Sequence, residues 1–248
     1  MNPMVEFREA SYRIGGREIL RSLTLSIDPG ETLVLLGRSG SGKTTALKMV
    51  NAMVMPSSGE VRVDGKPTTA WDPVRLRRRI GYVIQEIGLF PHYTVARNIG
   101  LVPELEGWPP EKIESRVNDL LMLVGLPPGQ FASRLPRQLS GGQRQRVGVA
   151  RALAADPSLL LFDEPFGALD PVTRLELQRQ FQDLTRRLGK TCVFVTHDVR
   201  EALMLASRVA LLHEGALEIV APPGEFTRDR GEEARAFLAC LDWRDSPA

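Results

Sequence analysis

Gly37-Arg38-Ser39-Gly40-Ser41-Gly42-Lys43-Thr44 packs three glycines, a lysine and a terminal hydroxyl into eight residues, a composition suited to cradling phosphate. Without Cβ atoms in the way, the backbone amides of such a loop can turn inward around anionic oxygens. A helix starting at its end adds the positive end of its dipole. Lys43 would then reach the β- and γ-phosphates and the Thr44 hydroxyl would ligate Mg²⁺. A second chemical feature is the apolar run Ser158-Leu159-Leu160-Leu161-Phe162, which delivers Asp163 and Glu164 at its end. If the run is a buried strand, the acids lie at the sheet edge where open α/β sheets bind ligands. Adjacent carboxylates there are costly unless a cation stands between them and the phosphates. Asp163 is therefore assigned to the metal, directly or through water, and Glu164 to orienting and polarising the water that attacks the γ-phosphate. Taken alone, the acid pair could also cap a helix.

Leu139-Ser140-Gly141-Gly142-Gln143 is another glycine-rich anion cradle, about a hundred residues after the first. It precedes a helix-compatible run from Arg144 to Leu153, so its amides would lie at a helix N-terminus. Ser140 with Gln143 three residues on also has capping-box spacing, and by itself the segment reads as well as a capped helix.

The elements that must carry these groups are partly legible. Val5, Phe7, Ile19, Leu23, Leu25 and Ile27 alternate with polar residues around Gly15-Gly16, which predicts antiparallel β structure. Thr32 to Leu36 is a continuous apolar run, as in a parallel strand buried on both faces, and Lys43 to Met53 continues as a helix. Gly59 to Val63 predicts a strand closed by an Asp64-Gly65 turn. From about 87 to 156 the pattern is helical, with Ile113, Val117, Leu120, Leu121 and Val124 on one face and breaks at Pro109-Pro110 and Pro127-Pro128. Thr191 to Val195 is a further apolar strand, and Leu175 to Leu188 before it has helical periodicity. Strand, helix and strand at this length imply a right-handed parallel crossover. A short strand after Gly215 and a charged tail from Glu225 complete the chain.

Composition narrows the classes. The chain has 248 residues, 43% hydrophobic and 25% charged, enough for a sizeable core, with a formal charge of +2 that argues for neither nucleic acid nor a membrane surface as partner. Arg75, Arg77, Arg78 and Arg79 form one short basic run, read as a solvated face. Cys192 and Cys240 suit neither a disulfide framework nor a metal site, which fits a reducing compartment. No apolar run reaches the roughly 18 to 20 residues of a membrane span, and Met1 to Glu6 lacks the features of a secretory signal.

In combination, the two glycine motifs and the acid-tipped strand resemble the ATP-binding cassette (ABC) ATPases. The resemblance runs from the strand around Tyr12 to the one after Gly215. It implies an α/β P-loop NTPase with a RecA-like parallel-sheet core, an antiparallel β subdomain and an inserted α-helical subdomain. The cassette would occupy 1–225, with the core and β subdomain at about 1–86 and 157–225 and the helical subdomain at about 87–156, leaving 226–248 as a short tail. ATP, with Mg²⁺, would be held by Gly37 through Thr44 together with Thr45. Ser140, Gly141, Gly142 and Gln143 would close on the ATP of a second copy, making a homodimer around two nucleotides. Gln85 matches the Q-loop glutamine that contacts Mg²⁺ or the attacking water, His197 the switch histidine that donates toward the γ-phosphate, and Asp170 the D-loop that touches the opposite subunit. Each of these three alone would be an ordinary polar residue of a strand end or loop. Tyr12, twenty-five residues before the loop, is the matching platform for adenine, or else a surface strand aromatic.

More narrowly, Ile80-Gly81-Tyr82-Val83-Ile84-Gln85-Glu86-Ile87-Gly88-Leu89-Phe90-Pro91-His92 and Ile99 to Leu105 resemble subunits that power uptake of glycine betaine, choline and related osmoprotectants. Family members dock the coupling helix of their permease at this stretch. The implied partners are permease subunits and, indirectly, an extracytoplasmic solute-binding protein, with no nucleic acid. The implied location is cytoplasmic, peripheral on the inner face of the membrane. Many members of that subgroup continue into paired CBS modules, whereas this sequence stops at Ala248, so gating through such modules is not expected. Two alternatives stand beside this reading: an importer ATPase for another small polar solute such as an amino acid, and a non-transport ABC ATPase.

Overall fold

The computed structural model describes residues 2–85, 88–167, 169–228 and 231–242. Glu86 and Ile87 of the stretch behind Gln85, Ala168 ahead of Asp170, and the last six residues of the tail lie outside the described residues. In chain order, β1 (Val5–Ile14), β2 (Arg17–Ile27) and β3 (Thr32–Leu36) lead to α1 (Lys43–Val50). There follow β4 (Ser58–Val63), β5 (Lys66–Pro67), α2 (Pro73–Arg78), β6 (Ile80–Val83), α3 (Val95–Leu105), α4 (Pro110–Leu123), α5 (Pro128–Phe131) and α6 (Gly141–Leu153). The remainder is β7 (Leu159–Asp163), α7 (Pro171–Leu188), β8 (Thr191–Thr196), α8 (Val199–Leu205), β9 (Arg208–His213), β10 (Ala216–Ala221), α9 (Pro223–Phe226) and α10 (Glu232–Asp242). The chain divides into two compact units, Met1–Leu76 with Leu184–Ala248, and Arg77–Asp183.

The first unit holds two kinds of β structure. One is the antiparallel sheet β2-β1-β4-β5. On β2, Leu20, Leu23, Leu25 and Ile27 are buried while Arg21, Ser22, Thr24 and Ser26 are exposed, the alternation of a sheet with one wet face. Ile14 pairs with Arg17 across Gly15-Gly16, and Val63 with Lys66 across Asp64-Gly65. Both turns have two residues with positive φ, which matches the right-handed twist of the strands they join. The other is a parallel arrangement in which β3 lies between β8 and β9, with β10 antiparallel on the far side of β9. All five residues of β3 and all six of β8 are buried. Helices cover strands of this kind on both faces, so a polar side chain within them would have no water to meet.

In the second unit β6 runs parallel to β7, with Ile80 opposite Leu159 and Val83 opposite Phe162. Helices α3, α4 and α6 pack on one another, and α6 also packs on β6. Their buried faces carry Val95 and Ile99, Val117, Leu120 and Leu121, and Val147, Ala150 and Leu153. Thr94 Oγ1 accepts from Arg97 N at 3.2 Å to start α3, and prolines at the first turn start α4 and α5. The parallel strands, the antiparallel sheet and the helices together make the α/β fold that the sequence implies. Among the described residues no helix is long and apolar enough to cross a membrane.

Candidate functional site

In the first unit, β3 ends at Leu36 and α1 begins at Lys43, so the glycine-rich run forms the turn between a buried strand and a helix. Gly42 is the N-cap of α1 with φ +99°, and a Cβ there would lie 2.8 Å from the Ile19 carbonyl oxygen and 2.7 Å from Leu20 Cδ2. Only glycine fits. No side chain caps this turn, so the positive end of the α1 dipole opens onto the glycine loop, as an anion site needs. Lys43 is buried, and its Nζ donates to the carbonyls of Gly37 and Arg38 at 2.7 Å each and to Ser41 Oγ at 3.4 Å. The ammonium is thus held at the centre of the turn. Ser39 and Gly40 are exposed at its tip, and the Thr44 and Thr45 hydroxyls are half-buried at its base.

His197 reaches the same sheet edge. Leu36 of β3 is in register with Thr196 of β8, so the residues that follow, Gly37 and His197, leave neighbouring strand ends together. The His197 segment is braced: Thr196 Oγ1 donates to Glu201 Oε2 at 2.6 Å and accepts from Asp198 N, while Asp198 Oδ1 caps α8 by accepting from Arg200 N. His197 itself is exposed. Tyr12, half-buried on β1, pairs with Leu20, whose side chain packs where a Cβ on Gly42 would go. The tyrosine therefore stands on the strand pair that backs the loop.

The second unit places its acids at the end of β7. Asp163 is 6% exposed, and Tyr82 on the neighbouring β6 donates its hydroxyl to Asp163 Oδ2 at 3.3 Å. Burial, then the adjacent Asp163 charge, pushes the Tyr82 phenol well above its ordinary pKa, so it stays a donor. Glu164 follows in the left-handed region with φ +45°, a conformation costing an ordinary residue about 1–2 kcal/mol. Such strain persists where the surroundings require it, and functional turns are where it collects. Gln85, two residues past β6, brings its Nε2 to 3.5 Å from Glu164 Oε2. Gln85, Asp163 and Glu164 therefore share one strand-end cluster.

The glycine motif at 139–143 opens α6. Ser140 Oγ accepts from Gln143 N at 3.2 Å and Gln143 Oε1 accepts from Ser140 N at 2.9 Å, the reciprocal capping box expected from the spacing. Gly142 lies against the first turn of α7: a Cβ would come 2.8 Å from Thr173 Cγ2. Asp170 caps that turn, its Oδ1 accepting from Thr173 N at 3.0 Å. This bond holds the Asp170 carboxyl below its ordinary pKa. Ser140 to Gln143 and Asp170 thus form one constellation in the second unit.

For Mg²⁺, the first unit offers the Thr44 hydroxyl as an oxygen donor, and the second, separately, offers the buried Asp163 carboxylate and the Gln85 amide. Among the described residues no group of three or more His, Cys, Asp or Glu could hold a metal by itself. Mg²⁺ takes one or two carboxylates plus phosphate oxygens and water, and the donor chemistry that each unit presents suits that habit. Two residues that pair with this machinery were not singled out in the sequence. Tyr82 could have been found once β6 and β7 were taken as neighbours, since it alternates with Val83 on the strand before Gln85. Glu233, which holds Arg38, has no local signal.

A strand, glycine loop and helix with lysine at the helix start, together with a parallel strand tipped by two acids, define a P-loop nucleotide-binding protein. The ABC transporter family model matches residues 20–167. The chain belongs to the ABC transporter family. It is 52% identical, over 88% of its own length and 57% of the relative's, to the glycine betaine/carnitine/choline transport ATP-binding protein OpuCA of Bacillus subtilis. It is 49% identical, over 88% and 57%, to the choline transport ATP-binding protein OpuBA of the same species. With the glycine betaine uptake system ATP-binding protein YehX of Escherichia coli it shares 48% identity over 95% and 76%. The chain thus spans a little over half the length of the first two. Among solved structures, a dimeric ATP-binding cassette in a post-hydrolysis state with ADP and Pi matches with a TM-score of 0.78 and 34% identity, over 89% of this chain and 99% of that one. CbiO1 of Clostridium perfringens, part of the ABC transporter complex cbiONQ, matches with a TM-score of 0.84 and 26% identity, over 99% and 96%.

Proposed function

We propose that this chain is the ATP-binding and ATP-hydrolysing subunit of an importer for a quaternary-ammonium osmoprotectant such as glycine betaine or choline. Three relatives at 48–52% identity, all named for glycine betaine or choline transport, support the solute class. The observation that favours hydrolysis over binding alone is Glu164, set beyond a buried strand in a left-handed turn with Gln85 beside it. A module that only binds nucleotide has no need of that placement.

In this reading Gly37 to Gly42 wrap the phosphates with backbone amides, and Lys43 exchanges the carbonyls of Gly37 and Arg38 for β- and γ-phosphate oxygens. Tyr12 stacks on adenine, and Thr45 lies at the phosphate end of α1. Glu164 accepts a proton from the attacking water as it orients it, Gln85 helps hold that water, and His197 donates to the γ-phosphate. Mg²⁺, when bound, neutralises phosphate charge; Thr44, Asp163 and Gln85 are the residues that would hold it. Ser140, Gly141, Gly142 and Gln143 serve the nucleotide of a second copy, with Asp170 at the contact. ATP then favours the closed pair and hydrolysis releases it.

The partners follow: a twin chain, permease subunits docked beside the stretch from Ile80 to His92, and a solute-binding protein on the far side of the membrane. The cassette works from the cytoplasmic face, with residues 87–156 as its helical subdomain within 1–225. In proteoliposomes with the cognate permease, ATP hydrolysis by the wild-type chain should rise when a binding protein loaded with glycine betaine or choline is added. Stimulation by an amino-acid-loaded binding protein, with none by quaternary ammonium, would shift the solute assignment.

A further inference from the structure

Arg38, inside the phosphate loop, is fixed by a residue 195 positions away. Its Nε donates to Glu233 Oε1 at 2.6 Å and its second guanidinium nitrogen to Oε2 at 3.1 Å, a two-pronged fork. Glu233 is buried in the first turn of α10, and His213 Nδ1 at the end of β9 lies 3.4 Å from the same Oε2. The hydrogen bonds from Arg38 hold the Glu233 carboxyl below its ordinary range. An acid in a first turn serves the helix dipole without being buried, so the dipole alone does not explain this arrangement.

Two further contacts show what the fork controls. The Arg38 carbonyl accepts from Lys43 Nζ at 2.7 Å and from Ser41 N at 3.2 Å, so fixing Arg38 fixes the place where the catalytic ammonium rests. At the other end of α10, the Cys240 carbonyl accepts from an Arg200 guanidinium nitrogen at 3.3 Å, on the helix that begins two residues after His197. The helix is therefore bonded at one end to the phosphate loop and at the other to the helix behind the histidine. Both bonds lie in the first unit.

We propose that Glu233 is a positioning residue for nucleotide binding: α10 straps the loop through Arg38 and so holds Lys43 and the loop amides in their phosphate-ready arrangement. The inference rests on the reading that ATP binds at this loop. The strap acts on binding, because Glu233 reaches the phosphate loop through Arg38. Replacing it should raise the dissociation constant for ATP and leave turnover at saturating ATP nearly untouched.

The test is a titration of the full chain with a fluorescent ATP analogue, with ATPase kinetics alongside. Glu233→Gln keeps the shape and removes the charge, and should weaken binding about tenfold with kcat within about twofold. Glu233→Asp, which retains a carboxylate, should recover most of the affinity. Arg38→Gln on the exposed side should weaken binding, and Arg38→Gln with Glu233→Gln together should be no worse than the weaker single variant, because one fork is being cut. The Arg38→Gln measurement and its wild-type reference remain informative if Glu233→Gln fails to fold. Multiplicative losses in the pair, wild-type affinity in both single variants, or a fall in kcat with affinity unchanged would overturn the strap. Lys43→Ala separates the two levels: if it binds ATP as well as wild type, the reading of the loop is at fault, and if it abolishes binding while Glu233→Gln binds normally, only the strap fails.

Discussion

Gly42→Ala tests how tightly the phosphate loop is built, and Gly40→Ala is its control. Both glycines have positive φ, +99° and +80°, so an alanine at either pays for the left-handed region, about 1–2 kcal/mol. Their surroundings differ. Nothing lies within 4 Å of a Cβ on Gly40, whereas one on Gly42 would meet a backbone oxygen, Ile19 O, at 2.8 Å and Leu20 Cδ2 at 2.7 Å. The leucine tip can rotate away, but the carbonyl belongs to β2 and moves only with the strand. Overpacking of this kind costs roughly 1–3 kcal/mol. A stiffer unfolded chain returns about 0.4–1 kcal/mol to both variants alike. Gly42→Ala should therefore be less stable than Gly40→Ala by about 1–3 kcal/mol, a large share of the roughly 5–15 kcal/mol that holds a domain together. Urea unfolding at matched m-values measures the difference, with ATP affinity read on the same samples. Equal midpoints for the two variants, with unchanged ATP affinity for Gly42→Ala, would refute the claim that α1 is seated against β2 through this contact.

Three further outcomes are expected. Burial pushes the Cys192 thiol up to about 12, so in the native protein an aromatic disulfide reagent at pH 8 should modify Cys240 and spare Cys192, and both should react in denaturant. Because the folded chain keeps that proton longer, stability should fall as pH rises from the ordinary thiol value of about 8.5 toward 12. The Asp170 carboxyl is held below its ordinary value by the Thr173 amide, so its contribution is present above about pH 3.9, the unfolded value, and is lost as pH falls through the lower folded value. The melting-temperature gap between wild type and Asp170→Asn should accordingly close at low pH, and a gap constant from pH 7 to pH 2 would contradict the cap.

Local features were the ones that sequence made legible. Leu33 to Leu36 and Cys192 to Val195 announced buried parallel strands because both faces of such strands must be apolar, and both segments are buried. Asp64-Gly65 announced its turn and Ser140 with Gln143 its reciprocal cap, since each depends on residues within three positions. The location of Lys43 at a helix start and of Asp163 at a strand end followed from the same short-range patterns. What stayed hidden depends on pairing across the chain. The bond from Tyr82 to Asp163 needs β6 beside β7, and nothing within either strand states that. The Arg38 to Glu233 fork joins the loop to a tail that reads only as charged sequence, although it holds the helix α10. Positive φ at Glu9 and Ser22, next to register shifts in β1 and at β2, was likewise unreadable, because neither residue is of a type that signals a bulge.

The central claim is that two copies share ATP, each supplying what the other's site lacks, and that Glu164 carries the hydrolytic step. The most direct measurement is light scattering coupled to size exclusion on Glu164→Gln with Mg-ATP, with phosphate release followed in parallel. The account predicts a stable dimer holding two ATP per pair and no turnover, which reverts to monomer when Ser140→Arg is added. A Glu164→Gln protein that stays monomeric at saturating ATP, or that hydrolyses it at the wild-type rate, would contradict it.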